Sequence, residues 1–316
     1  MENQQRIDVH SHFLPEQYLK ALNESGVKDI EGFPIGTWSL VEHLKVMNQN
    51  EITKCLISIS SPGLNFISGT AAQQLARSIN ETAADIKKAQ PDRFGAFALL
   101  PLPDVDAAVQ EIAYALDVLN LEGIGLYTNY GGVYLGDKTL DPVFDELNRR
   151  KATVFVHPTA PSVFESLSLG FPAPMIEYPF DSTRMVINLI SSGTLERCPD
   201  IKIIVSHGGG TIPFLAPRIA GMMAGMKRSQ NPREYNQKIM QLFGSLYFDL
   251  TAATHPGALY SISKLMPASH LLMGFDYPYM PPVSITGAVK DFYAFNHFTA
   301  EEHTAIEYGN ILSMLK

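Results

Sequence analysis

The stretch IDVHSH, residues 7–12, joins a short apolar and β-branched run to two histidines spaced two residues apart. Successive side chains of a β-strand alternate between its faces, so His10 and His12 point the same way and can reach one object together. Two interpretations are open for this pair alone: a shared metal ion, or histidines on the surface near the N-terminus.

Seven further runs of the same kind follow along the chain, and most of them precede a longer stretch with helical periodicity. This alternation is typical of βα units that build a parallel sheet. The predicted strands are IDVHS (7–11), CLISIS (55–60), FGAFALL (94–100), GIGLYT (123–128), TVFVHP (153–158), KIIVSH (202–207), LYFDLT (246–251) and HLLMGFD (270–276).

The helical patterns between and after these strands number about the same as the strands. They cover residues 39–51, 69–90, 105–120, 141–151, 181–197, 232–244, 257–266 and 299–315. Eight strands alternating with helices predict a (β/α)8 TIM barrel of the metal-dependent hydrolase type. The alternative is a doubly wound open sheet, which usually carries a glycine-rich phosphate-binding turn after an early strand, and the sequence has none.

The length and composition of the chain indicate how many domains it forms. The chain has 316 residues, 46 % of them hydrophobic, and no linker composition divides it, so we expect a single barrel domain over residues 1–316. Three long connections, 13–38, 128–140 and 158–180, are expected to be entrance-loop insertions at the catalytic end.

The net charge of −8 argues against a nucleic-acid partner or an anionic membrane, since either would favour a basic surface. Two cysteines are too few for a disulfide framework, which favours a reducing compartment. The N-terminus is polar, and no apolar stretch approaches twenty residues. We therefore expect a soluble, cytoplasmic protein.

Polar residues at the carboxyl ends of other predicted strands help to choose between the two interpretations of the histidine pair. His157 ends the fifth strand, His207 the sixth and Asp276 the eighth. Each has an ordinary interpretation alone: His157 as a loop residue, His207 as part of a glycine turn, and Asp276 as an Asx-turn residue. Because the carboxyl ends of barrel strands face one common site, a shared metal site explains all of them together.

Imidazole and carboxylate ligands together suit zinc, manganese, iron or cobalt. Three histidines and one carboxylate leave a position for water or substrate, which is more typical of a catalytic metal than of a structural one. The glycines of SHGGG, residues 206–210, allow the backbone to pass close to a ligand beside His207.

The motifs DVHSHFLP, VFVHP, VSHGGGTIPFLAPRI and LLMGFDYPYMP resemble those of the amidohydrolase superfamily. The similarity is to its amidohydrolase-2 branch, which includes aminocarboxymuconate-semialdehyde decarboxylase and the γ-resorcylate, 5-carboxyvanillate and isoorotate decarboxylases. It extends from about residue 6 to residue 312.

The resemblance implies a barrel with one divalent metal ion, zinc in the first place and manganese in the second, held by His10, His12, His157 and Asp276. It implies that His207 contacts the metal-bound water or the substrate and assists proton transfer. The fourth predicted strand ends without the lysine that bridges two metals in binuclear members, which favours one metal. Members of the branch are often dimers, so a homodimer is a further expectation, with residues 218–228 as a candidate interface.

The predicted reaction is a metal-dependent, non-oxidative decarboxylation of a small cyclic or unsaturated carboxylic acid, with Asp276 and His207 handling protons. An alternative keeps the site and uses a metal-bound hydroxide to hydrolyse a lactone or amide, or to hydrate a double bond. A third hypothesis is a barrel that binds metal without catalysis.

Candidate substrate contacts come from residues expected near the mouth of the barrel. His255 follows the seventh strand by a few residues, and three aromatic side chains belong to the long connections. The candidates are Phe13, Trp38, Tyr178 and His255.

Overall fold

Eight parallel strands form the centre of the molecule, in a computed structural model that describes residues 5–227 and 231–315. Each strand pairs with the next one along the chain. The strands are β1 (Ile7–His12), β2 (Lys54–Ser58), β3 (Phe94–Leu99), β4 (Gly123–Tyr127), β5 (Thr153–His157), β6 (Lys202–Val205), β7 (Tyr247–Asp249) and β8 (Leu271–Leu272). All eight coincide with the predicted ones.

The sheet closes between its first strand and the chain that follows its last. The Val9 amide donates to the Met273 carbonyl at 2.9 Å, and the Asp276 amide donates to the His10 carbonyl at 2.6 Å. Regular β8 is therefore shorter than the predicted 270–276, but the chain up to Asp276 still hydrogen-bonds to β1. The closed sheet with surrounding helices confirms the predicted TIM barrel.

Helices surround the barrel and connect its strands. They are α1 (Glu16–Glu24), α2 (Leu40–Gln49), α3 (Gly69–Ala89), α4 (Val105–Ala113), α5 (Asp141–Arg149), α6 (Phe164–Leu167), α7 (Ala173–Ser191), α8 (Thr194–Arg197), α9 (Ile212–Met226), α10 (Pro232–Gly244), α11 (Pro256–Leu265), α12 (Pro282–Ala294), α13 (Ala300–Thr304) and α14 (Asn310–Met314). π-Helical turns, Tyr114–Val118 and Ala305–Gly309, extend α4 and join α13 to α14. No helix in the described ranges is both long and apolar enough to cross a membrane.

The sequence patterns miss α9 and α12 and start α7 too late, and each of these helices contains or begins with proline. Helix α9 carries Pro217 in its interior, α12 begins at Pro282, and α7 begins at Ala173, ahead of the predicted 181, and continues through Pro179. Proline lacks an amide donor and is read as a helix breaker, but burial of one helix face against the barrel outweighs the lost hydrogen bond.

The long connections carry more regular structure than expected of loops. The first contains α1, the second contains a short antiparallel hairpin (Asn129–Tyr130 with Val133–Tyr134), and the third contains α6 and the first turns of α7. These elements stand at the carboxyl ends of the strands.

Buried side chains fill the barrel from inside and pack its outside against the helices. Six strands contribute to the inner cluster, whose members include Val9, Leu56, Phe97, Phe155, Ile204 and Leu272. This packing makes the lower barrel a solid core, so the space for a ligand lies above it, at the carboxyl ends of the strands.

Candidate metal centre and active site

Four predicted side chains meet above the inner core. His10 and His12 end β1, His157 ends β5, and Asp276 follows β8. Each offers one nitrogen or oxygen atom, and these atoms all lie within 4.8 Å of one another. The three imidazole rings stand edge to face, with centroids 5.0–5.3 Å apart. This is a compact set of three nitrogen ligands and one oxygen ligand.

Each histidine of the cluster is oriented through its other ring nitrogen. His10 Nδ1 lies 2.9 Å from the Asp249 carboxylate, and His157 Nδ1 lies 2.7 Å from the Pro158 carbonyl. His12 Nδ1 faces the hydroxyl and the carbonyl of Ser58 at 3.1 and 3.3 Å. A proton on Nδ1 in each ring leaves the Nε2 lone pair for the centre, which is how proteins orient imidazole ligands.

The atoms that face the centre have no hydrogen-bond partner among the described residues. His10 Nε2, His12 Nε2 and Asp276 Oδ1 are all buried and unpaired. Buried polar atoms are nearly always hydrogen-bonded, because an unpaired one costs about 1–3 kcal/mol. Three such atoms converging on one point therefore indicate a ligand-binding site.

The titration behaviour of the cluster reflects burial and the two nearby carboxylates. Burial lowers the pKa of His12 and holds that of His157 well below its usual range. Burial acts in the same direction on His10, but the carboxylates of Asp249 and Asp276 outweigh it and raise the His10 pKa to about 10. Burial disfavours the charged form of Asp276, yet the charge of His10 prevails and holds the Asp276 pKa well below its usual value. The centre therefore favours a positive charge beside an ionised Asp276.

His207 lies beside the four ligands. Its ring centroid is 4.8 Å from that of His10, and its Nε2 is 3.8 Å from Asp276 Oδ2. Both His207 and Asp276 adopt left-handed backbone conformations, with φ of 55° and 61°. Such backbone strain in residues other than glycine is concentrated at functional sites.

Asp249 at the end of β7 connects His10 to His207, and the sequence analysis did not select it. One of its oxygens accepts from His10 Nδ1, and the other accepts from the amides of His207 and Thr251 at 3.0 and 2.9 Å. The rule that selected the other residues, a polar side chain at the carboxyl end of a strand, would also have selected Asp249 in LYFDLT.

A small cavity opens onto the cluster, with a volume of about 110 Å³. One side presents His157, His207 and Asp276. The lining residues on the remaining sides are Ile30, Phe33, Ser60, Pro174, Tyr178, Tyr279 and Met280. Sites for drug-sized ligands measure about 300–1,000 Å³, so this cavity suits a single small ring.

The predicted substrate contacts fall into two groups. Tyr178 lines the cavity, with its ring 5.7 Å from that of His157. Phe13 is in the core because it lies on the opposite face of the chain from His12, and Trp38 packs against Phe13 and donates to His43 Nδ1 at 2.9 Å. His255 is exposed and accepts from the Gly257 amide at the start of α11. Phe13, Trp38 and His255 therefore do not line this cavity.

Two cavity residues that the sequence analysis missed are Phe33 and Tyr279. The Tyr279 hydroxyl is buried without a partner in the described structure, and its ring lies 5.7 Å from His12. Tyr279 follows Asp276 closely in the motif GFDYPYMP, so proximity along the chain was a usable signal. Phe33 carried no signal, since its position depends on the fold of a long connection.

Comparison with known proteins places this geometry in a family. The model of the family described as Amidohydrolase matches residues 7–316. The chain belongs to the amidohydrolase family. This membership confirms the resemblance seen in the four motifs.

The curated relatives of this amidohydrolase include decarboxylases of similar length. "Decarboxylase macB" of Penicillium terrestre is 38 % identical over 306 residues, covering 92 % of this chain and 89 % of that protein. The 6-methylsalicylic acid decarboxylase of Penicillium expansum is 36 % identical over 280 residues, covering 87 % of this chain and 86 % of that protein. The chain is a decarboxylase of the amidohydrolase family, as predicted.

A solved structure shows the same fold. It is the crystal structure of a dihydroxybenzoic acid decarboxylase from Polaromonas sp. JS666, with bound manganese and the inhibitor 2-nitroresorcinol. It superposes with a TM-score of 0.84 at 19 % identity, covering 99 % of this chain and 97 % of that chain. At this level of identity the similarity establishes the barrel.

Proposed function

We propose that this amidohydrolase removes CO2 from a single-ring hydroxybenzoic acid, using one divalent cation held by His10, His12, His157 and Asp276. The observation that carries the proposal is the convergence of these four side chains, with ligand atoms within 4.8 Å of one another, at the cavity. The proposal narrows the predicted substrate class from cyclic or unsaturated acids to aromatic ones.

The residues fit a cation by three properties. Three of their central atoms are buried and unpaired, their outer ring nitrogens are already oriented, and the Asp276 carboxylate supplies a negative charge. Imidazole nitrogen with carboxylate oxygen suits zinc, and manganese also accepts it. We therefore keep zinc and manganese as the two candidates, and the manganese of the Polaromonas enzyme supports the second.

When bound, such a cation would polarise the substrate oxygens and stabilise the negative charge that develops as the carbon–carbon bond breaks. The protein supplies the remaining requirements. Tyr178 and Tyr279 line the cavity beside the cluster and present phenol groups whose pKa burial raises, so both stay neutral. Neutral phenols can donate hydrogen bonds to substrate oxygens.

Proton handling falls to Asp276 and His207. Asp276 Oδ1 lies 3.1 Å from His12 Nε2, whereas Oδ2 lies 3.8 Å from His207 Nε2. We assign delivery of the proton to the ring carbon to Asp276 Oδ2, which is ionised at rest and first accepts that proton from His207 Nε2, 3.8 Å away. The bond to the carboxyl carbon breaks, its electron pair stays on the ring carbon and takes up this proton, and CO2 leaves.

Asp249 positions one proposed metal ligand, His10, and one residue of this relay, His207. Its carboxylate orients His10 through Nδ1 and holds the backbone of His207. Burial opposes ionisation of Asp249, but the charge of His10 lowers its pKa below the usual value. A permanently ionised, buried carboxylate fixes the relative positions of the ligand and the proton donor.

The substrate assignment rests on cavity size and on the relatives. A volume of about 110 Å³ suits one small ring, and Ile30, Phe33 and Met280 provide apolar contacts for it. The Penicillium expansum relative is a 6-methylsalicylic acid decarboxylase, and the Polaromonas enzyme is a dihydroxybenzoic acid decarboxylase. We therefore propose salicylate, 6-methylsalicylate and 2,6-dihydroxybenzoate as the first compounds to test.

The test is a screen of purified, metal-loaded protein against these acids, a pyrimidine carboxylate and a lactone, with CO2 and ring products measured separately. We expect CO2 and the matching phenol in equal amounts from at least one hydroxybenzoic acid. Asp276→Asn provides the inactive control. Lactone hydrolysis without CO2 release from any acid would instead favour the hydrolase alternative.

The predicted homodimer and cytoplasmic location are kept as proposals. Helix α9, which contains most of the candidate interface 218–228, exposes Met222 and Met226, and Arg228 lies outside the described residues. Exposed apolar side chains on one helix support an interface. Light scattering of the purified protein should give twice the mass of one chain, and the mass of a single chain would contradict the dimer.

A further inference from the structure

A tight turn in the connection between α1 and α2 forms one wall of the cavity. Ile30 and Phe33 exchange backbone hydrogen bonds of 2.7 and 2.9 Å, and both side chains line the cavity. Between them, Glu31 adopts a left-handed conformation with φ of 53°. Its carbonyl accepts from the Ala173 amide at 2.9 Å, which fastens the turn to the start of α7. The fold therefore holds a carboxylate behind this wall, since Glu31 does not itself line the cavity.

The Glu31 side chain is only half satisfied. Its Oε1 accepts from the Thr159 hydroxyl at 2.6 Å, and Thr159 in turn accepts from Ser61 at 3.0 Å. Its Oε2 is buried and has no hydrogen-bond partner among the described residues. Tyr178, which lines the cavity, lies so close to Glu31 that the charge of the carboxylate and its contact with the phenol both add to burial in raising the pKa of that phenol.

No positive side chain offsets this charge at the cavity. None of the residues that line the cavity is lysine or arginine, and one of them, Asp276, is itself a carboxylate. No ion pair within the described ranges involves Glu31. Apart from the proposed cation, the cavity therefore offers an anionic substrate only neutral donors and uncompensated negative charge.

We propose that Glu31 is a specificity-determining residue that restricts the site to aromatic acids with a single carboxylate. This inference rests on the proposed function and deepens it. The substrate's one carboxylate is matched by the cation, whereas a second anionic group on the ring would be repelled by the charge of Glu31 behind the wall. A neutral ring substituent in the same place carries no such penalty.

The test separates charge from shape with two non-reactive ring acids. Isophthalate and 3-nitrobenzoate have nearly the same shape, because a nitro group matches a carboxylate in size, but only isophthalate carries the second charge. Calorimetry with metal-loaded protein gives a dissociation constant for each. The ratio of the isophthalate constant to the 3-nitrobenzoate constant then measures discrimination against charge.

Glu31→Gln is the decisive variant, since glutamine keeps the shape and the acceptor for Thr159 while removing the charge. We expect the ratio to fall about tenfold, the effect of two like charges roughly 10 Å apart in an effective dielectric of about 20. Glu42→Gln, an exposed glutamate on α2 paired with Lys45, changes the net charge equally and should leave the ratio unchanged.

Glu31→Asp keeps the charge and should keep the ratio close to the wild-type value, which guards against a purely structural effect of the first variant. A ratio in Glu31→Gln within twofold of wild type would overturn the proposal, and so would a fall of the same size in Glu42→Gln. The screen for CO2 release distinguishes a failure of the proposed function from a failure of the specificity inference. If hydroxybenzoic acids are decarboxylated while the ratio does not respond to Glu31, only the specificity inference fails.

Discussion

Both ends of strand β1 bury ionisable side chains, but those at the amino end are fully paired and those at the carboxyl end are not. At the amino end, Arg6 is fully buried and paired: two of its nitrogens donate to one oxygen of Glu307 at 2.9 and 2.6 Å, and a third donates to the Asn50 carbonyl. At the carboxyl end, His10 and His12 keep unpaired atoms that face Asp276. The charges at the base are satisfied within the protein, so that breaking their pairing should destabilise the barrel, whereas the unsatisfied atoms at the mouth indicate a ligand.

The largest expected effect is at the mouth. Asp276→Asn removes the charge and the proposed proton donor, so decarboxylation should fall about a thousandfold, within the range seen for loss of a general acid. The free energy of unfolding without metal should fall as well, because the ionised carboxylate balances the charge of His10, so the rate is normalised to the amount of folded protein. Rates of CO2 release and thermal melts measure the two quantities. Substantial residual activity would contradict the assigned role.

The corresponding change at the amino end of β1 should lower stability and leave the activity of the folded protein near wild type. Arg6→Met leaves the Glu307 carboxylate buried without its partner, which should lower the free energy of unfolding by about 3–5 kcal/mol. Denaturant unfolding measures this loss. The rate per folded molecule and the metal content should remain near wild type, because the base lies at the far end of the strands. A selective loss of metal from folded Arg6→Met protein would contradict the separation between a structural base and a ligand-binding mouth.

Two tyrosines, one near each end of β1, allow the same comparison with smaller expected effects. The Tyr293 hydroxyl donates to Glu307 at 2.6 Å, so Tyr293→Phe should cost about 1.5–3 kcal/mol of stability, the usual value for a hydrogen bond to a charged group. The Tyr279 hydroxyl has no such partner in the described structure. We expect Tyr279→Phe to leave stability unchanged and to raise KM several-fold. Equal destabilisation by both changes would argue against a ligand-facing role for Tyr279.

The smallest expected effect concerns an aromatic residue behind β1. Trp38 donates to His43, which lies 3.1 Å from the Ser11 hydroxyl on the face of β1 turned away from the cluster. Trp38→Phe should cost about 1 kcal/mol through the lost hydrogen bond and leave KM unchanged. Tyr178→Phe, at a residue that does line the cavity, serves as the comparison and should change KM. A larger change in KM for Trp38→Phe than for Tyr178→Phe would indicate that Trp38 contacts the substrate.

Backbone periodicity explains how much of the site the sequence could predict. His10, His12, His157 and Asp276 were identifiable because strand ends in a closed barrel must meet. The same periodicity places Phe13 on the other face from His12, so its assignment to the pocket was not consistent with the strand geometry. Asp249 obeyed the strand-end rule and was passed over.

The remaining cavity residues depend on contacts between segments far apart in the chain. Glu31 reaches the wall because Gly32 packs closely against Pro172, where an added side-chain atom would come within 3.0 Å of the proline Cα. Neither segment has a pattern that indicates the other. Helix α7 was likewise predicted to begin too late, because Pro179 signals a break that tertiary packing overrides.

The central claim is that one cation held by four side chains performs the decarboxylation. The most direct measurement is activity against metal equivalents, in which chelator-treated protein is titrated with zinc or manganese while CO2 release from a hydroxybenzoic acid is followed. We predict negligible activity without metal and a linear rise that ends at one equivalent per chain. Full activity in the chelated protein, or a rise that continues to two equivalents, would contradict the account.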